Sequence, residues 1–262
     1  MSTGRTKPKW IRVYADGYDL SGFGRTIGPL ELTYDEADLT ATMSDTVKGY
    51  LRNHAQVNLG TLNAVFDNTA STGIHALLGT AGIERVVTVA YGIRAAPAAG
   101  DPAFCGQFTQ GAYQAAEDGG ALTVTVPFQG WAADASTLKY AGPWGTLLHA
   151  SGTETAVNAA VGFDNPTGAA TAKGGYFVYH IFASNAAGTA TVIAQDAATN
   201  TDPSFALLAG ATSGAIGFAA IPASGVVALA NNADVRRYLR WQLTLAGGMT
   251  TCTFVSAFVR AY

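Results

Sequence analysis

The side chains that could carry chemistry are few and scattered. The histidines are His54, His75, His149 and His180. None sits in a His-Glu-x-x-His pattern or beside a carboxylate at metal-ligand spacing. His180 falls in the apolar run Tyr176–Phe182, where a hydrogen-bonded structural histidine is expected. Cys105 and Cys252 are too far apart in sequence to form a disulfide framework and too few for a zinc set. They are expected to be small buried thiols.

The densest charge is Asp35-Glu36-Ala37-Asp38. It could bind calcium or supply paired carboxylates for acid–base work. The alternative is a solvated loop or one face of an assembly. Asp196, Asn200 and Asp202 could ring a cation, but Asx-rich turns look the same, and the glycine and distal Glu of an EF-hand loop are missing. Arg236, Arg237 and Arg240 flank Tyr238, Leu239 and Trp241. They could stack on sugars or bases, or belong to a strand entering the core with arginine stems along its edge. There is no G-x-S-x-G elbow and no G-x-x-x-x-G-K phosphate loop. Gly22–Ile27 starts like a dinucleotide fingerprint, lacks its third glycine, and reads as a turn. No acid, base, nucleophile or metal set converges, so neither an enzyme nor a cofactor protein is expected.

Composition narrows the class. Charged residues make up 13% of the 262, about half the usual share, while 31 are glycine. A highly charged disordered chain and a basic nucleic-acid binder are both excluded. Low charge with abundant Ala, Gly and Thr suits a protein that covers its surface with copies of itself. Met1–Trp10 is polar and basic and lacks the apolar core of a signal peptide. Residues 204–232 carry no charge, but Gly210, Gly214, Gly217, Pro222 and Gly225 interrupt them. Strands and turns are expected there rather than a membrane span.

The elements follow from period-two alternation. Leu122, Val124, Val126 and Phe128 alternate with Thr123, Thr125 and Pro127, as in a half-buried strand. Further strands are expected at 10–14, 57–66, 86–91, 104–108, 176–182, 189–194, 226–230, 237–245 and 251–260. Gly and Asn/Asp clusters separate them. Short helices are expected at 44–51, 72–78 and 204–208. The pattern predicts an all-β protein. A boundary is expected within 132–150, with Gly142-Pro143-Trp144-Gly145 as a rigid hinge. Residues 1–138 carry 9 Lys/Arg and 13 Asp/Glu, and the remainder carry 6 and 5. The expected domains are 1–138 and 146–262. A faint echo links Gly60-Thr61 through Asp67 to Ala76-Leu77-Leu78 with Gly188-Thr189 through Asp196 to Ala206-Leu207-Leu208.

The run Pro29–Thr40, then Lys48-Gly49-Tyr50-Leu51, then Val57–Asp67 resembles the first half of a long-tailed phage tail tube protein. A helix at 72–78 and the strands to Phe128 continue the likeness, which covers about residues 8–131. It is an ordering of elements rather than an invariant motif. The resemblance implies an N-terminal tail-tube-like β-sandwich or barrel with a short helix. The second half resembles the jelly-roll or Ig-like β-sandwich domains appended to virion proteins. The implied protein is a virion tail component, assembled in the host cytoplasm. It would form hexameric stacked rings with itself, contact other virion proteins, and let DNA pass without specific binding. Net negative charge in residues 1–138 would suit that passage, since Lys and Arg dominate phosphate binding. The second half would project outward and be dispensable for tube formation. A capsid decoration or neck protein, or a host-surface glycan-binding module, is the alternative. The segment from Gly28 to Lys48 is expected to be an extended assembly loop, with Asp35, Glu36, Asp38, Leu39 and Met43 at the contact.

Overall fold

The computed structural model describes residues 6–38, 50–130, 144–155, 162–164 and 170–261, except for the side chains of 34–38, 50–56 and 164. The strands in chain order are β1 (Ile11–Ala15), β2 (Tyr18–Asp19), β3 (Gly24–Gly28), β4 (Glu31–Asp38), β5 (Tyr50–Val65), β6 (Glu84–Tyr91), β7 (Pro102–Gln110), β8 (Gln114–Asp118) and β9 (Ala121–Gln129). The second half adds β10 (Trp144–Glu154), β11 (Phe163–Asp164), β12 (Gly175–Ser184), β13 (Gly188–Ala197), β14 (Ala206–Thr212), β15 (Ile216–Gly217), β16 (Ala223–Ala228), β17 (Tyr238–Gly247) and β18 (Cys252–Arg260). One short helix, α1 (Ile74–Leu78), lies between β5 and β6. The chain is all-β, as its alternation predicts.

The first half pairs antiparallel along the path β1-β6-β7-β9-β5-β3. Its interior holds Leu59, Leu62, Val87, Val89, Phe104, Phe108, Val124, Val126 and Phe128, closed at one end by Ile74 and Leu78 of α1. Strand β9 displays the expected period: Val124, Val126 and Phe128 are buried while the residues between them are not.

In the second half, β16-β12-β18-β10 form one layer and β11-β17-β13-β14 the other. Phe177, Ile181, Val192, Trp241, Leu243, Phe254 and Phe258 fill the space between the two layers. The opposite face of β12 and β18 is also covered. Tyr176, Val178, Val255 and Val259 pack on Tyr14, Ala90, Ala103 and Cys105 of the first half. A layer buried on both faces needs apolar residues at nearly every position, which explains the runs Tyr176–Ile181 and Phe254–Val259, each interrupted by one buried polar residue, His180 and Ser256.

Several expectations are corrected. Trp144 and Gly145 are not a hinge: they enter β10 and pair with Phe104 and Ala103 of β7, so one sheet runs between the halves. Gly142 and Pro143 lie outside the described residues. The turn expected at Gly22–Ile27 is largely β3. Residues 44–49 of an expected helix lie outside the described residues, and Tyr50 and Leu51 open β5. The helix expected at Ser204–Leu208 is instead a 3-10 turn, Asp202–Ser204, leading into β14. Pro203 sets that turn, and Leu208 and Ala211 then point into the core while Leu207 faces out. The internal echo therefore ends in a helix after Asp67 and in a strand after Asp196.

Candidate assembly site

The feature that sets the first half apart is β5. It runs 16 residues, and its two ends have different company. From Asn58 to Val65 it pairs with β9, and over Thr61 to Ala64 it lies between β9 and β3. From Tyr50 to Asn58 its partner is β4. At the usual rise of about 3.3 Å per residue, roughly 25 Å of two-stranded ribbon therefore extends past the core of the first half. Gly60 is the root of this arm. Its φ of +73° and the register shift between Asn58 and Gly60 bend the strand. A Cβ there would fall 2.4 Å from the carbonyl oxygen of Pro29, where the chain crosses from β3 to β4. Glycine is required by both backbone angle and space.

This places the acidic run. Asp35, Glu36 and Asp38 belong to β4, with Glu36 opposite Arg52 and Asp38 opposite Tyr50 in register. They stand on a paired strand rather than in an open loop. Leu39 and Met43 lie outside the described residues.

Beside the arm's root, a cleft of about 380 Å³ opens between β1 and β3. Lys9, Arg12 and Arg25 line it together with Ile11, Ile27 and Leu62. Arg12 donates to the carbonyls of Lys9 and Ile11, each at 3.0 Å. Arg25 meets Asp118 at 3.7 Å with both side chains well exposed, an ion pair of little energetic weight. Lys9 sits over the Trp10 ring at 5.3 Å. The edge of β1 is closed: the Val13 N–H donates to Ser21 Oγ at 3.0 Å, and the Val13 carbonyl accepts from the Leu20 N–H at 2.8 Å.

The other candidate residues serve structure. Asn200 clamps Gly162, accepting its N–H at 2.7 Å and donating to its carbonyl at 3.0 Å. Asp196 accepts the Arg236 N–H at 2.8 Å, and burial pushes its carboxyl pKa up. Asp202 pairs with the buried Arg240, which also donates to Gln195 Oε1 at 2.7 Å and stacks on Phe205 at 4.3 Å. Arg240 thus enters the core, whereas Arg236 and Arg237 remain exposed. Both cysteines are buried and their thiols pushed up, Cys252 to about 11. His75 meets the Tyr113 hydroxyl at 3.1 Å.

One pair escaped the sequence reading. His149 and Glu154 are five residues apart, which in a regular strand puts them on opposite faces. Irregular register in β10 brings His149 Nε2 within 2.9 Å of Glu154 Oε1, with the ring stacked on Phe254 at 4.1 Å. His180 is fully buried between the halves. The Gly17 N–H donates to its Nδ1 at 3.3 Å, so in the neutral ring Nε2 carries the proton facing Thr88 Oγ1 at 3.0 Å. Burial lowers its pKa to about 3. Among the described residues no cluster of His, Cys, Asp and Glu could hold a metal ion, and no helix is long and apolar enough to cross a membrane.

No protein-family model matches the chain, and no curated protein does either. Among solved structures, the chain is similar to the SPP1 Dit (gp 19.1) protein, described as a paradigm of the hub adsorption apparatus in Gram-positive infecting phages. The identity is 13%, over 96% of this chain and 99% of that one, with a TM-score of 0.31.

Proposed function

We propose that this chain is a structural protein of a phage tail that assembles with copies of itself, and more specifically a ring-forming subunit of the tail tube. The observation that carries the assembly reading is the β4–β5 arm. A two-stranded ribbon in water is marginally stable unless something packs on it, and among the described residues the arm beyond Asn58 pairs with nothing but itself. A second copy is the economical cover, and a contact between unlike surfaces of identical chains generates rings or filaments. The phage assignment rests on the order of elements from Pro29 to Phe128. The low charged fraction is consistent with a surface largely covered by neighbours.

The experiment is negative-stain microscopy and sedimentation of the purified chain across a concentration series. Stacked rings support the tube reading. Single rings that never stack support a tail component placed at one end of a tube. A chain that stays monomeric at high concentration overturns the assembly reading.

A further inference from the structure

We infer that the basic cleft between β1 and β3 is the receptor for the acidic β4–β5 arm of a second copy. This deepens the proposed self-assembly by naming both halves of the contact.

Charge complementarity carries the inference. Lys9, Arg12 and Arg25 gather at one cleft in a chain with only 15 Lys and Arg in all. Among the described residues the carboxylate paired with any of the three is Asp118, at 3.7 Å from Arg25. Arg12 donates to the Lys9 and Ile11 carbonyls, and among the described residues no carboxylate is paired with it. The arm has the opposite balance. Its described strands, 31–38 and 50–58, hold Glu31, Asp35, Glu36 and Asp38 against Arg52.

The far end of the described arm, with Glu36 and Asp38, cannot reach the cleft of its own chain. Leu62 lines the cleft, and the far end of the described ribbon is the Asp38–Tyr50 pair. Even if β5 folds sharply at Gly60, about 30 Å of paired strand separates them. The acceptor must belong to another molecule, so the contact is head-to-tail. The closed edge of β1 shows how recognition works. Val13 already spends both its backbone groups on Ser21 and Leu20. The arm therefore docks through its carboxylates on the cleft's cations and apolar contact with Ile11 and Ile27, not by adding a strand to β1.

The test uses the full-length chain and two charge-reversed forms. One carries Lys9→Glu and Arg25→Glu, both at exposed positions; the other carries Asp35→Lys, Glu36→Lys and Asp38→Lys. Thermal melts confirm folding, and Lys9→Gln/Arg25→Gln stands in if the first form does not fold. Each form alone should self-associate roughly tenfold or more weakly by sedimentation velocity, and wild-type association should weaken with salt. Mixed in equal amounts, the two forms keep one intact arm and one intact cleft between them. The mixture should give dimers that grow no further, and a chain with both reversals should recover assembly. If wild type assembles and the cleft forms assemble equally well, this inference fails while the assembly reading stands. If the mixture gives no dimers, the contact is not arm-to-cleft. If the cleft binds duplex DNA and its reversal leaves assembly untouched, its charge serves another ligand. If wild type stays monomeric, both readings fall.

Discussion

The seam between the two halves and the β4–β5 arm are built on opposite principles. At the seam, apolar faces from both halves meet and every named polar group has a partner. The Tyr176 hydroxyl donates to the Cys105 carbonyl at 2.8 Å, and His180 bridges the Gly17 N–H and Thr88. The Asp16-Gly17 turn approaches so closely that a Cβ on Gly17 would sit 2.8 Å from the Ala223 nitrogen. The arm has two strands, a kinked glycine root and a surplus of carboxylates. The difference separates the surface this chain spends on holding itself together from the surface it offers to others. Mutations at the seam should change stability first; mutations in the arm should change association and leave stability nearly alone.

The largest expected effect comes from cutting the seam. A chain ending near residue 140 loses β10, the neighbour of β7, and uncovers Tyr14, Ala90, Ala103 and Cys105. It should be insoluble or fail to melt cooperatively, although the sequence alone predicts a self-sufficient first domain. A soluble fragment with a sharp thermal transition would mean that the seam is a docking surface rather than part of the core.

Next is acid. The pKa of His180 is about 3 in the folded chain against an ordinary 6.5. Below 6.5 the unfolded chain takes up a proton that the buried ring refuses, because its Nδ1 already accepts the Gly17 N–H. Stability is therefore full above pH 6.5 and falls as pH drops toward 3, by on the order of 5 kcal/mol in all and roughly 3 kcal/mol by pH 4.5. Urea midpoints between pH 7.5 and 4.5 measure it. His180→Gln should lower stability at neutral pH and flatten the slope through this window. An unchanged slope would assign the acid sensitivity to other groups. Smaller again is Tyr176→Phe. It leaves the Cys105 carbonyl without the donor at 2.8 Å and should cost about 1–2 kcal/mol by denaturant titration. A neutral result would mean that water replaces the hydroxyl.

These regions were unequally legible in the sequence. Strand β9 alternates because one face is buried, so its sequence predicts the strand and its inner residues Val124, Val126 and Phe128, while Leu122, expected on the same face, is exposed at the strand's start. The seam was half legible. Apart from His180 and Ser256, the runs Tyr176–Ile181 and Phe254–Val259 are apolar at successive positions, which is the mark of strands covered on both faces. Read as strands of one outward-projecting sandwich, they give no hint of what covers the second face, because that partner, from Tyr14 to Cys105, lies far earlier in the chain. The Gly-Pro-Trp-Gly punctuation was misleading for a related reason. Turn chemistry is local, whereas the pairing of Trp144 with Phe104 is not. His149 and Glu154 were hidden by an irregularity in β10 that no spacing rule anticipates. Arg240 was legible as one of two alternatives, and the neighbour that decides between them, Asp202, had been noted for different chemistry.

The smallest expected effect on stability belongs to the arm, and it is the most informative because association should change so much. Deleting residues 36–44 shortens the ribbon at its far end, whereas the core of the first half is set by Leu59, Leu62, Val87 and Phe104, far from the cut. A ribbon paired with nothing beyond itself adds little to the fold. The melting temperature should therefore move by no more than about 2 °C, within the usual range for surface changes. Assembly should be lost, because the arm would no longer span the distance to a neighbour or carry its carboxylates there. Gly60→Ala separates reach from charge. It keeps every arm residue but forces a Cβ into the Pro29 carbonyl and strains φ at the root, so the arm is re-aimed rather than removed. It should weaken association while the charge of the arm is unchanged. If the deletion melts far below wild type, the arm belongs to the fold after all. If it assembles normally, the contact between copies lies elsewhere, and the contrast between a closed seam and an offered arm is lost.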